Sequence, residues 1–350
     1  MRPQLPEADK LLPYLTQIDT QGIYSNFGPL HNQLAHQFAQ YFDVKRDQIT
    51  LIANGTLALQ AAVETVGEIG DTWVLPAWTF VASGQAVLAA RRRIHFEDVE
   101  LDTWALSPRD HHFARGHLVV APFGARPNLP AWSEITGPKI FDAAAGFDAC
   151  RGIGPDIHDE SMLMVSLHAT KTLPAAEGAV LIGPADWVRR ASRWANFGFA
   201  GSRFASGPGM NAKLSEYHAA IGLASLDSWN EDRVAWERSR KLAVEVAQSF
   251  DLENQPSFAQ GLVTSTWNVQ IPTSVDLAAV TQGLADEGIE TRSWWPACVN
   301  DMSAFRMQTA EPLPNAKQLV DRVLGLPFGR WMEVDDFQRI AVALEQLLVT

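Results

Sequence analysis

Leu163-Met164-Val165-Ser166-Leu167-His168-Ala169-Thr170-Lys171 is an apolar run that breaks into a polar turn and delivers one lysine beside a serine, a histidine and a threonine. Shortly after, Ala179-Val180-Leu181-Ile182 makes a second apolar run. Short apolar runs bounded by turn residues read as core strands. Lys171 therefore sits in a loop between two strands, whereas most lysines lie on solvated faces. A lysine placed there is chemically useful once its pKa falls, because only the neutral amine attacks a carbonyl.

Upstream the same alternation repeats. Residues 49–53, 73–75, 94–96, 118–121 and 139–141 read as strands, and helices start near Pro29, Thr56, Phe80, Pro130 and Pro184. Strand-then-helix alternation argues for an α/β sheet with helices on both faces, and ligands in such sheets bind on the loops at the strand ends. Two of those loops stand out. Asn54-Gly55-Thr56 opens a helix; glycine permits close backbone approach, and the unpaired N–H groups of a helix start suit a phosphate. The plain alternative is an ordinary helix cap. Phe141-Asp142-Ala143-Ala144-Ala145-Gly146 ends another strand. A carboxylate followed by small residues leaves room for a flat ring and can hold a ring nitrogen protonated; the plain alternative is an Asp capping a turn.

The remainder bounds the answer. The chain has 350 residues, 47% of them apolar and 19% charged, an ordinary globular composition. A net charge of −12 argues against nucleic acid as a partner. The two cysteines, Cys150 and Cys298, match no metal-ligand or disulfide spacing, so no metal is expected. There is no apolar leader and no membrane-length run, which makes the cytoplasm the default address and a membrane partner unexpected. A long helical stretch runs from about Leu214 towards Phe250. Beyond it Phe337, Ile340, Ala341, Leu344 and Leu348 recur at helical spacing. We expect a large domain over residues 1–240 and a smaller α+β domain over residues 241–350.

Taken in order, these segments resemble the fold-type-I pyridoxal-phosphate (PLP) enzymes, and within them the DegT/DnrJ/EryC1/StrS family of sugar aminotransferases. The resemblance covers nearly the whole chain. It is carried by Ser25-Asn26-Phe27-Gly28-Pro29, Pro76-Ala77-Trp78-Thr79-Phe80-Val81-Ala82-Ser83, Phe96-Glu97-Asp98-Val99 and Asp102-Thr103-Trp104. Further on, Gly209-Met210-Asn211-Ala212-Lys213-Leu214-Ser215-Glu216, Ala219-Ala220-Ile221-Gly222, Thr291-Arg292-Ser293-Trp294-Trp295-Pro296 and Val323-Leu324-Gly325-Leu326-Pro327-Phe328 also carry it. It implies a mostly parallel, mixed seven-stranded sheet flanked by helices, plus the smaller α+β domain.

The resemblance also implies roles. Lys171 would hold PLP as a Schiff base and then move the proton between carbons, with Asp142 on the pyridine nitrogen. Phe80, or less readily Trp78, would stack on the ring. Gly55, Thr56 and Ser166 would meet the phosphate, joined by Asn211 from the neighbouring subunit of a homodimer, with Lys213 close by. Asn26 and Phe27 would lie on the substrate side. Trp294 and Trp295 would offer stacking faces, and Arg292 a partner for a diphosphate or a donor carboxylate; packing and a surface ion pair are their plain alternatives. The chain departs from the family pattern at Ala145, where Gln or His is usual, and at Cys298, near a usual His. His168 reads as a structural hydrogen-bonder.

The expected reaction is transfer of an amine from an amino acid, glutamate by family habit, to a nucleotide-linked keto-sugar, with the cofactor cycling between PLP and its amine form, PMP. Sugar dehydration or elimination on the same cofactor stays open, as does a non-catalytic regulatory role. The intact Lys171 argues against dehydration, and the intact set of Lys171, Asp142 and Ser166 argues against a regulatory role.

Overall fold

The structure, a computed structural model, describes residues 3–348. Its first part comprises α1 (Ala8–Gln21), α2 (Pro29–Phe42), β1 (Ile49–Ile52), α3 (Gly55–Val66), β2 (Thr72–Pro76), α4 (Val81–Ala89), β3 (Arg93–Glu97), β4 (Gly116–Val120), β5 (Lys139–Asp142), β6 (Ser161–Ser166), β7 (Ala179–Ile182) and α5 (Ala185–Trp194). Then come α6 (Glu216–Asp227), α7 (Trp229–Ser249), β8 (Glu253–Asn254), α8 (Pro256–Ala259), β9 (Trp267–Gln270), α9 (Leu277–Asp286), β10 (Thr309–Ala310), α10 (Pro314–Arg322), β11 (Val323–Leu326) and α11 (Val334–Leu348).

The large sheet runs β1-β7-β6-β5-β4-β2-β3-β10. All neighbours are parallel except those of β7, which opposes both β1 and β6. Buried on both faces, its inner strands are apolar nearly throughout, and successive side chains serve opposite cores. Leu51, Phe141 and Val165 join the layer under α2, α6 and α7, while Ile52, Ile140 and Met164 join the layer under α3, α4 and α5. The small sheet runs β11-β9-β8 and is antiparallel; Phe337, Ile340, Ala343 and Leu344 of α11 bury against it. Among the described residues no helix is long and apolar enough to cross a membrane.

Three local expectations need correction. The large sheet has eight strands, not seven. The eighth, β10, comes from the C-terminal part of the chain and pairs with β3 in the register Thr309↔His95, Ala310↔Phe96. It is brought there by Phe305, which fills the space over Gly84 of α4; a Cβ at Gly84 would come within 2.6 Å of that ring. Pro130 opens only a single 3₁₀ turn, Pro130–Trp132, because the chain is not apolar at helical spacing beyond it. The long helix is broken at Ser228 into α6 and α7.

Candidate active site

The carboxyl ends of β4, β5 and β6, the start of α3 and the loop before β7 share one edge of the large sheet. With residues 265–266 and 294–295 from the C-terminal part, they enclose a cavity of about 800 Å³. Lys171, Asp142, Ser166, Gly55, Thr56, Phe80, Trp294 and Trp295 all line it. Register explains part of this: Asp142 pairs with Met164, and Ser166 and Ile52 flank Ala179 on either side.

Asp142 is buried. Its Oδ2 accepts the Ser83 hydroxyl at 2.7 Å and its Oδ1 accepts the Ala144 N–H at 3.1 Å. Burial pushes the carboxyl up from its usual range, while those two donors and the Lys171 charge pull it back. Lys171 answers with the opposite sign: burial pushes its ammonium down from the usual lysine range, and Asp142 opposes the change. The amine is thus eased towards the neutral form that bonds a carbonyl. The carboxylate would gain from a cationic ring N–H in the cavity, which would replace the water it has lost.

At the start of α3 the cap reading of Asn54-Gly55-Thr56 is observed, and it leaves the first-turn amides without an intrahelical partner. Asn54 Oδ1 caps the helix by accepting the Leu57 N–H at 2.9 Å. The N–H groups of Gly55 and Thr56 lie in the first turn, where no intrahelical acceptor exists. Gly55 also packs tightly against β6, where a Cβ would sit 3.4 Å from Met164 and 3.6 Å from Ser166 Cβ. Unpaired amides, the dipole of α3 and two hydroxyls, those of Thr56 and Ser166, meet in this part of the cavity, an arrangement that suits an anion.

Phe80 is 57% exposed and faces the cavity, whereas Trp78 is 1% exposed and lies in the core. Trp78 Nε1 donates to the Trp295 carbonyl at 3.1 Å, and its ring meets Trp104 and Trp295 edge-on. Trp295 in turn stacks on Phe123, centroids 4.1 Å apart. Phe123 has φ 47, a left-handed conformation uncommon for an aromatic residue. Its carbonyl is held by Gln255 Nε2 at 3.2 Å and Ser257 Oγ at 3.0 Å. The aromatic wall is therefore fixed jointly by the two parts of the chain.

The other candidates, His168 apart, lie outside this cavity. Asn211 and Lys213 sit beyond β1, joined by an Nζ–Oδ1 bond of 2.6 Å, with Lys213 Nζ 4.5 Å from the Phe197 ring centre. Asn26 and Phe27 have φ of 65 and 61, in a loop held by Glu216. The buried carboxylate of Glu216 accepts the N–H groups of Leu30 and His31 at 2.7 and 2.9 Å, and its close approach leaves no room for a Cβ at Gly28. Arg292 pairs with Glu290 at 3.3 Å and stands 5.5 Å from the Trp294 ring. Cys298 is buried in the core, its thiol pushed up to about 11 by burial. His168 faces the cavity, tied to Thr170 Oγ1 at 2.9 Å and 3.6 Å from Glu177.

Sequence reasoning missed Ser83, Glu177, Ser265 and Thr266, which line the cavity or bond to Asp142. Ser83 lay within a quoted segment, and its place three residues into α4 on the cavity side was the available signal. The others come from loops that carry no periodicity.

Residues 7–345 match the DegT/DnrJ/EryC1/StrS aminotransferase family. Over 99% of its length the chain is 29% identical to protein Rv3402c of Mycobacterium tuberculosis, covering 89% of that protein. It is 24% identical, again over 99% of its length, to 98% of a dTDP-4-amino-4,6-dideoxy-D-glucose transaminase of Shigella dysenteriae. The crystal structure of DesI in the presence of its TDP-sugar product superposes with a TM-score of 0.86 at 26% identity, over 99% of this chain and 91% of that one. The chain belongs to the DegT/DnrJ/EryC1/StrS aminotransferase family.

Proposed function

We propose that this protein is a PLP-dependent aminotransferase that moves an amine from an amino acid, glutamate first among them, to a nucleotide-linked keto-sugar. The observation that carries the reading is the meeting of Lys171 and Asp142, each perturbed by burial, in a cavity floored by the start of α3. The family uses PLP, and the donor set fits it. Lys171 Nζ offers the amine for the aldehyde, and Asp142 Oδ2 an acceptor for the ring N–H. Phe80 supplies a flat face, and Gly55 N–H, Thr56 and Ser166 donors for the phosphate. Ala144 and Ala145 leave room beside the ring.

Bound there, PLP supplies the electron sink that lets a proton leave a carbon next to nitrogen. The chain's own residues do the rest. Lys171 Nζ takes that proton from one carbon and returns it to the next, a transfer typically worth ~10²–10⁴ in rate. Asp142, steadied by Ser83 and Ala144, keeps the ring nitrogen protonated. Trp294, Trp295 and Phe123 form an apolar wall suited to a sugar or base face. In this reading Asn211, with Lys213 beside it, reaches the phosphate of a neighbouring subunit's site. The 25–29 loop and Arg292 flank the entry used by the nucleotide sugar and the donor.

Borohydride reduction followed by peptide mass mapping tests the anchor. A pyridoxyl group on Lys171, with 2-oxoglutarate released from glutamate when nucleotide keto-sugars are supplied, supports the proposal. Cofactor-saturated protein in which Lys171 stays unlabelled would sink it. Labelled protein that eliminates water from the sugar without using an amino donor would move the function to dehydration.

A further inference from the structure

A second cluster of ionisable side chains lies on the outermost strands of the large sheet, β3 and β10, and none of its members lines the cavity. His95 and Glu97 project from the same side of β3. Glu311 follows β10 and reaches them because β10 pairs with β3, the Glu311 N–H donating to the Phe96 carbonyl at 3.1 Å. One ligand atom each from His95, Glu97 and Glu311 lies within 4.8 Å of the others. His111, from the loop after β3, places its Nε2 against Glu97 Oε1. We propose that His95, Glu97, His111 and Glu311 form a binding site for one divalent cation of the Zn²⁺ type, which fastens β10 to the edge of the large domain.

The imidazoles are oriented as metal ligands are. His95 Nδ1 is 2.9 Å from Thr309 Oγ1, which leaves its Nε2 turned to the cluster, sealed from solvent and without a hydrogen-bond partner. His111 Nδ1 is 3.0 Å from His117 Nε2, so its Nε2 too is left for the cluster. A hydrogen bond from the far ring nitrogen is the usual means of fixing a ligating histidine. Phe113 packs edge-on over both rings, at 5.0 and 5.5 Å, and shields one side. Two imidazole nitrogens and two carboxylate oxygens are a donor set that tetrahedral Zn²⁺ accepts.

The carboxylates of Glu97 and Glu311, this close together, gain from a cation between them. Without a metal Arg109 provides it. Its guanidinium bridges Glu97 and Glu311, at 3.1 Å from the latter, and its Nε lies 3.3 Å from His111 Nε2. Its side chain is 54% exposed, so it is free to swing out when a smaller, doubly charged ion takes its place. Metal and Arg109 compete, and that competition separates the proposal from a plain ion-pair cluster. No spacing in the sequence announces the site, because its ligands stand at 95, 97, 111 and 311 and only the β10 pairing unites them.

The test uses full-length, PLP-loaded protein, stripped with a chelator and titrated with Zn²⁺ alone. Uptake is followed by competition with a chromophoric chelator and by Tm. The proposal expects one saturable equivalent per chain and a rise in Tm. Affinity falls tenfold or more in His95→Gln and in the more exposed Glu311→Gln, and it rises in Arg109→Gln, where the competing cation is gone. Circular dichroism checks that each variant is folded. Glu311→Gln removes no core contact and keeps the test decisive if His95→Gln misfolds. Absence of saturable uptake overturns the proposal, as does uptake by Glu311→Gln equal to that of the parent chain.

Discussion

At the scale of single residues, the role proposed for Asp142 depends on the groups that oppose the effect of its burial. Two donors hold it, and one of them is the Ser83 hydroxyl. Ser83→Ala removes the donor from Oδ2 and leaves burial less opposed, so the carboxyl moves further above its usual range and holds a cationic ring N–H less well. A hydrogen bond to a charged group is worth about 1.5–3 kcal/mol. PLP affinity should therefore fall by about tenfold or more, read by absorbance titration, with the anchoring lysine untouched. Affinity equal to that of the parent would show that Ser83 does not support Asp142. Lys171, Asp142 and Gly55-Thr56 were legible because each follows a strand-like run, and topology brings strand ends to one edge. Ser83 was not, since a serine inside a helix looks like any other until the fold aims it. Trp78 and Phe80 show the same limit: two aromatics two residues apart were interchangeable in sequence, and only the turn into α4 sends one to the core and the other to the cavity.

Among the elements, α2 depends on a charge that is distant in sequence. Glu216 at the start of α6 caps the first turn of α2, and His31 in that turn is 2% exposed. Burial, helped by the charge of Arg46, pushes the His31 imidazole down from 6.5 to about 4. Between those values the unfolded chain binds a proton that the folded chain refuses, so stability is complete above pH 6.5 and is lost as pH falls towards 4. The loss amounts to roughly 3 kcal/mol across that window. His31→Gln should flatten the fall of Tm between pH 6.5 and 4.5, and an unchanged profile would assign acid sensitivity elsewhere. The large-sheet strands were readable at nearly their true bounds because buried parallel strands are apolar runs. β8 and β10 were not. Each is two residues long, too short for a period, and exists only through its pairing.

For the whole molecule, the role proposed for Asn211 requires a second copy of the chain, because Asn211 does not line the cavity of its own subunit. Mixing independently inactive Lys171→Ala and Asn211→Ala chains tests this. A shared site predicts that unfolding and reassociation restore activity. Half of the random dimers would be mixed, each with one intact site, giving about a quarter of the parent activity. No recovery would confine Asn211 to its own subunit. The aromatic wall makes a related point, because Gln255 and Ser257 hold the Phe123 turn that follows β4. The two parts of the chain build one cavity, and neither is a complete half of it.

β10 also has a consequence for biosynthesis. Ribosomes deliver the chain from its N-terminus, so β1 to β7 emerge and can pair long before Thr309 and Ala310 exist outside the exit tunnel. Throughout that interval β3 is a bare edge with unsatisfied N–H and C=O groups, the kind of template that recruits strands from other nascent chains. Only a much later part of the chain supplies the strip that closes it. Truncated products of this gene should therefore aggregate through β3 even when everything upstream has folded.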